Sequence, residues 1–213
     1  MQTEPRLQAL PIFPLSTVLF PGGLLPLRIF EVRYLDMVRR CHDEGTPFGV
    51  VALIAGNEVR QAGGAREVFH DIGTLARIDS FESVQPGLVM VQCTGTHRFR
   101  IDRREQLRHG LWTADAQPIA DDIAVEVPED LRPDAEALLQ LIETLQQRID
   151  VPDAPPLPLA PPYRLNDCGW VANRWCELLP LQTELKHRLM ALENPVVRLE
   201  LVSDLLARTG IAE

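Results

Sequence analysis

Lys186 is the only lysine among the 213 residues, and it limits the chemistry the chain can run. A phosphate cradle of the G-x-x-x-x-G-K-[ST] type needs a lysine at the start of a helix to reach the β and γ phosphates. Lys186 sits inside TELKHR, in mid-helix, so that motif is absent. The glycine pair Gly22-Gly23 leads into an apolar strand and not into a helix N-terminus, which also removes a dinucleotide fingerprint. A Ser-Lys dyad would have to join Lys186 to Ser16, Ser80, Ser83 or Ser203, none of which lies in a motif that activates serine. No G-x-S-x-G elbow exists either, although a Ser-His-Asp triad assembled from distant segments stays open. The carboxylate pairs Asp43-Glu44, Asp121-Asp122 and Glu129-Asp130 lie in polar, turn-like contexts and read as solvated loops.

Cys41, Cys93, Cys168 and Cys176 form no C-x-x-C pair and no zinc-ligand spacing with His42, His70, His97, His109 or His187. They read as reduced, partly buried thiols, and neither a metal nor a cofactor is expected. The segment HRFRIDRREQLRH, from His97 to His109, holds five arginines and two histidines against Asp102 and Glu105. Its one aromatic, Phe99, falls on the apolar face of an alternating strand, so stacking platforms for bases are missing.

Hydrophobic residues make up 46% of the chain and charged residues 24%, which suits a globular protein with a real core. The net charge of -9 is uneven. Residues 1–122 carry 13 basic and 15 acidic side chains, and residues 123–213 carry 8 and 15, which disfavours general nucleic-acid binding by the second half. No apolar run approaches a membrane span and no leader pattern opens the chain, so a soluble cytoplasmic protein is expected.

The first half alternates short apolar runs with turn signals, and predicts strands at Leu10–Leu15, Leu24–Phe30, Phe48–Ile54, Ile72–Asp79, Leu88–Thr94, His97–Arg103 and Leu111–Gln117. Turns such as Gly22-Gly23, Gly56-Asn57, Gly63-Gly64, Pro86-Gly87 and Gly110 separate most of them. Phe48–Ile54 is apolar on both faces, whereas His97–Arg103 puts Phe99 and Ile101 on one face and Arg98 and Arg100 on the other. One helix from Glu31 to His42 carries Tyr34, Leu35, Val38 and Cys41 on one stripe and is stopped by Gly45 and Pro47.

After Ile123 the periodicity becomes helical. Helices are predicted from Pro133 to Ile149, Asp167 to Leu178, Thr183 to Leu192 and Pro195 to Ala207, the last with Asn194 as N-cap and Gly210 beyond its end. Its stripe of Val197, Leu201 and Leu205 is expected to pack on Leu185, Leu189 and Leu192. Residues 151–162, VPDAPPLPLAPP, read as an exposed proline-rich loop containing a PxxP match at Pro158–Pro161.

Leu10-Pro11, Phe13-Pro14-Leu15, Phe20-Pro21-Gly22 and Pro26-Leu27-Arg28-Ile29-Phe30-Glu31 resemble the opening of the Lon protease N-terminal (LON, substrate-binding) domain. That family typically carries L-P-L-x-P-L, V-x-F-P-G and P-L-R-I-F-E-P-R-Y. IGTLARI, LVMVQCTGTHRFRI and the helical tail from Trp175 continue the similarity over nearly the whole chain. Val32 departs from it, standing where the family has the proline that presets the helix start. The resemblance implies an α+β fold: a PUA-like β pseudo-barrel of about six strands with one helix (residues 1–122), then a helical subdomain (residues 123–213). It also implies a non-enzymatic, stand-alone recognition module rather than a protease.

Three functional readings follow. The first is capture of exposed apolar or extended polypeptide, or of another protein, by the barrel surface near Phe20, Leu24 and Leu25 and a cleft between the subdomains. Arg28, Arg33 and Tyr34 are the further candidates there, although Arg28 and Arg33 beside Glu31, and Tyr34 packed under the barrel with its hydroxyl at the surface, also read as scaffold. The second is an RNA-binding module using Arg98, Arg100 and Arg103, disfavoured by the acidic second half. The third is a hydrolase that the motifs fail to reveal.

Overall fold

The computed structural model describes residues 6–59, 65–149 and 157–209, which fall into two compact units, residues 1–121 and 122–213. The turn signal at Gly63-Gly64, the first part of the proline-rich loop and Gly210 lie outside the described residues.

The first unit holds β1 (Leu7–Leu15), β2 (Leu24–Ile29), α1 (Val32–Glu44), β3 (Phe48–Ala55), β4 (Val68–Gln85), β5 (Leu88–Gln106) and β6 (Trp112–Pro118). Strand order is β2-β5-β4-β3-β1-β6, and a further pairing of β5 with β6 closes five of the strands into a ring. β1 and β3 run parallel, and every other pair is antiparallel. Leu10, Ile12, Val51, Phe69, Leu75, Phe99, Ile101 and Trp112 come from the five ring strands and form one core. A second core joins Leu25, Leu27 and Ile29 of β2 to Tyr34, Leu35, Val38 and Cys41 of α1 and to Phe13, Phe48 and Val50. Serving both cores leaves the first five residues of β3 buried on both faces, as its unbroken apolar run implies.

The two strands predicted at Leu88–Thr94 and His97–Arg103 are one strand, β5. Gly95 between them is not a turn. Its N–H donates to Gly23 O at 2.9 Å, and its O accepts from Gly22 N at 2.8 Å, so the Phe20–Gly23 corner lies flat against it. A Cβ on Gly95 would stand 2.2 Å from Phe20 O. Only glycine lets the corner approach this closely, and Gly22 itself turns at φ 74.

Helix α1 begins without a proline: Glu31 takes an extended N-cap conformation and Val32 occupies the first turn at 72% exposure. Gly45, at φ 63, ends it with its N–H turned back onto His42 O, while Thr46 N–H donates to Cys41 O. At the helix start, Arg33 is buried and donates to Glu31 Oε2 (3.2 Å), Glu67 Oε1 (2.9 Å) and Gly110 O (2.9 Å). Glu67 also accepts from Trp112 Nε1 and Gln106 Nε2, each at 3.4 Å. This cluster ties α1 to the segment before β4 and to the β5–β6 turn. Desolvation would raise the Glu67 carboxyl, but its own backbone N–H and the Arg33 guanidinium outweigh burial and hold it below its ordinary value.

The second unit contains η1 (Glu129–Leu131), α2 (Arg132–Ile149), α3 (Cys168–Leu178), α4 (Thr183–Ala191) and α5 (Pro195–Thr209). Asp167 caps α3 by accepting from Trp170 N at 3.1 Å, and Trp175 Nε1 donates to Asp134 O at 2.9 Å, joining α3 to α2. Asn194 Oδ1 caps α5 as expected, accepting from the N–H groups of Val196 and Val197.

The packing of α5 differs from the sequence expectation. Leu199, Val202 and Leu206 are buried, whereas Val197 and Leu201 are solvent-facing and Leu205 is half-buried. The helix packs chiefly on α3, not on α4. Two apolar stripes overlap on this helix, and Arg198 decides between them. Its guanidinium is buried, contacting Leu189 O at 2.9 Å, Asn173 Oδ1 at 3.1 Å, both oxygens of Asp122, and Leu192 O. Reading Arg198 as a solvent residue rotates the apparent stripe away from the true one. Asp122 accordingly belongs to a buried ion pair and not to a solvated loop. The PxxP match is also no free ligand, because Leu159 at its centre is 2% exposed.

Two predictions follow from these contacts. Gly95→Ala sets a methyl against a backbone oxygen that cannot move cheaply, and should cost about 2–4 kcal/mol in urea unfolding. Gly87→Ala, with open space around it, should cost about 1 kcal/mol. Equal stability of wild type and Gly95→Ala would show that the corner does not rest on β5. The depressed Glu67 carboxyl contributes stability above the ordinary carboxylate value of 4.5, and that contribution disappears as pH falls through its lower folded value. Glu67→Gln should therefore flatten the acid limb of a melting-temperature profile below pH 4.5, and an unchanged limb would remove the pair from the account.

Candidate functional site

Beyond the ring, β2 extends the sheet into an arm. Its partner is the first half of β5, with Leu24 opposite Thr94 and Ile29 opposite Val89. The second half of β4 lies on the other side of β5, with Glu82 opposite Met90 and Ser83 opposite Val89. Alternation sorts the side chains. Leu25, Leu27, Ile29, Val89, Val91 and Cys93 face the α1 core, with Ile78 and Phe81 partly buried against them. Arg28, Met90 and Glu82 form a cross-strand row on the opposite, exposed face. Towards the β4–β5 turn the arm also exposes Phe30 (52%), two residues beyond Arg28, and Val84 (51%), which lies within the Ser83–Gln85 register shift, with Val32 following Phe30 at the start of α1.

Among the described residues β2 pairs only with β5, and β4 beyond Ala76 likewise pairs only with β5. The arm therefore has two unpaired edges flanking a partly apolar outer face. Pro26 in β2 and the register shifts at Ile78–Ser80 and Ser83–Gln85 in β4 are the usual guards against indiscriminate strand pairing. Such a surface offers apolar contact with ion-pairing groups, Arg28 and Glu82, on either side of Met90.

The residues singled out from sequence divide sharply. Phe20 is fully buried and Leu25 faces the α1 core, so neither meets a partner in this fold, and Leu24 is half-buried. The apolar corner is scaffold because Gly95 receives it. Arg33 and Tyr34 are also interior: Arg33 is held by Glu31 and Glu67, and the Tyr34 ring stacks on Phe13 with centroids 3.9 Å apart. Burial pushes the Tyr34 phenol well above its ordinary value. Of that set, Arg28 alone is fully solvent-facing.

Arg98 is corrected too. It lies opposite the Phe99 face but is 3% exposed, with Nη2 donating to Ala120 O at 3.3 Å. The segment after β6 folds back over it, Ile119 N donating to Arg98 O at 2.9 Å. Arg100 and Arg103 remain exposed, but neighbouring Arg104 pairs with Asp71 at 3.4 Å and stacks on Phe69. The basic strand is thus partly interior and partly neutralised.

Phe30, Val32, Val84 and Met90 were not singled out from sequence. The available signal was parity: Phe30 follows Arg28 by two residues, so a strand that exposes one exposes the other. All four cysteines are free and buried; burial pushes Cys93 and Cys176 up to about 12. Among the described residues, no three His, Cys, Asp or Glu side chains are placed to hold a metal ion. No helix there is long and apolar enough to cross a membrane.

The sequence model of the ATP-dependent protease La (LON) substrate-binding domain matches residues 9–208. The chain is 24% identical over 210 residues to the Lon protease of Heliobacterium modesticaldum, covering 95% of this chain and 24% of that protein. It is 35% identical over 103 residues to the Lon protease of Flavobacterium johnsoniae, covering 48% of this chain and 12% of that protein. The chain thus matches no more than a quarter of the length of these curated relatives. Its fold is similar to a Lon N-terminal domain protein from Xanthomonas campestris, with a TM-score of 0.70, 29% identity, and coverage of 93% of this chain and 98% of that one. The N-terminal domain of the Mycobacterium avium complex Lon protease has the same fold, with a TM-score of 0.57, 16% identity, and coverage of 92% and 96%. With the family pattern running from the first strand to the last helix over a six-stranded sheet and a helical unit, this chain belongs to the LON substrate-binding domain family.

Proposed function

We propose that this chain recognises exposed apolar, extended stretches of polypeptide in the cytoplasm and carries out no covalent chemistry itself. The observation that carries the reading is the outward apolar set Phe30, Val84 and Met90 on a sheet arm whose two edges have no other strand among the described residues. Family membership supports it, since the matched domain is described as substrate-binding. An extended segment laid across Met90 meets Arg28 on one side and Glu82 on the other, so its main-chain amides find polar partners while its apolar side chains lose water.

The residues that a Ser-Lys hydrolase would need lie in no activating motif. Lys186 Nζ donates to Glu177 O at 3.1 Å. Ser16, Ser80 and Ser83 belong to the first unit and Ser203 to α5, each outside any activating motif.

The test is fluorescence anisotropy with a labelled, reduced and carboxymethylated polypeptide that cannot refold. Wild type should bind saturably, and the double variant Phe30→Ser, Val84→Ser should bind about ten-fold or more weakly, because two exposed apolar contacts are lost. Its stability should stay within about 0.5 kcal/mol per site of wild type, as both side chains face solvent. Leu25→Asp should instead unfold the arm. Absent binding by wild type, or full binding by the double variant, would refute the reading.

A further inference from the structure

The second unit contains a groove of about 470 Å³ that the arm reading does not use. One wall is the first half of α2, and the other is formed by Glu126–Val127 and Leu165–Asn166, two segments joined by Val127 N donating to Asn166 O at 3.1 Å. The volume lies in the lower half of the roughly 300–1,000 Å³ range typical of ligand clefts. Its apolar floor includes Val127 and Ala135, both buried, and Leu139, which reaches solvent.

The rim is charged and uncompensated. Glu126, Arg132 and Glu136 are all exposed, and among the described residues none of them makes an ion pair. Exposed Glu129 and Asp130 precede Arg132 and oppose its charge. The surrounding sequence deepens the imbalance, with 15 acidic against 8 basic residues from Ile123 to Glu213. Two of those cations, Arg174 and Arg198, are buried in pairs with Glu177 and Asp122. An apolar floor inside a net-acidic rim selects an apolar group carried between positive charges.

We propose that this groove seats a polypeptide segment presenting one large apolar side chain flanked by basic residues. The apolar side chain covers Leu139 and Val127, and the flanking cations answer Glu126 and Glu136. This surface belongs to the second unit and the arm to the first, and its occupant is selected by charge as well as by apolarity.

The probes are two fluorescein-labelled dodecapeptides, each with one phenylalanine between pairs of arginines or, in the control, pairs of glutamates. By anisotropy at low salt, the intact chain should bind the arginine peptide at least about ten-fold more tightly than the glutamate peptide, and added salt should weaken it. Glu126→Lys with Glu136→Lys should lower affinity about ten-fold or more. Leu139→Asp adds negative charge, so it would strengthen a diffuse electrostatic attraction; the proposal requires it to weaken binding. Equal binding of the two peptides, no binding of the arginine peptide, or unchanged or stronger binding by Leu139→Asp would overturn the proposal. So would loss of binding in Phe30→Ser with retention in the groove variants.

Discussion

One strand must satisfy three others, and the first unit is arranged around that demand. β5 pairs with β4 along most of its length, with β2 through its first half and with β6 through its second. A strand has only two hydrogen-bonding edges, so β2 and β6 must take turns on the same one. Gly95 lies where the exchange happens. The backbone of the Phe20–Gly23 corner bonds to it there, so its N–H and C=O stay satisfied where the ladder changes partner. Ring closure on one side and the arm on the other both follow from that exchange.

Much of this was legible in the chain because burial leaves periodic marks. The stripe Tyr34, Leu35, Val38, Cys41 lies on the buried face of α1, and the double apolar face of β3 lies between two cores. Gly45 and Asn194 act as caps because left-handed backbone and unpaired N–H groups have few cheap solutions. The errors concern residues whose position depends on partners far away in sequence. Arg98 read as surface because a cation alone belongs in water; it is interior, as Arg198 is, because carbonyls or carboxylates from other segments reach it. Gly95 falls in the gap left between two predicted strands, whereas here it makes room for a corner 72 residues earlier in the chain to close on it.

The candidate surface was less legible than the scaffold for the same reason. Phe20, Leu24 and Leu25 drew attention as a cluster of apolar residues beside glycines, and a cluster that dense is what a core requires. Phe30 closes an apolar run and Val84 stands between Ser83 and Gln85, and the two come onto one arm only through the pairing of β2 and β4 with β5. Recognition surfaces assembled across strands leave no local period, so pairing has to be known before they can be seen.

The single attachment of β2 has a dynamic consequence. Peeling β2 from β5 breaks one ladder and leaves the five-stranded ring closed, since β5 keeps both β4 and β6. Detaching β4 or β6 would open the ring itself. The opening therefore exposes only the apolar face of Leu25, Leu27 and Ile29 and the part of the α1 core beneath it. That gives the first unit a graded stability, with an outer layer that can exchange with solvent below the cost of global unfolding and an inner ring that cannot.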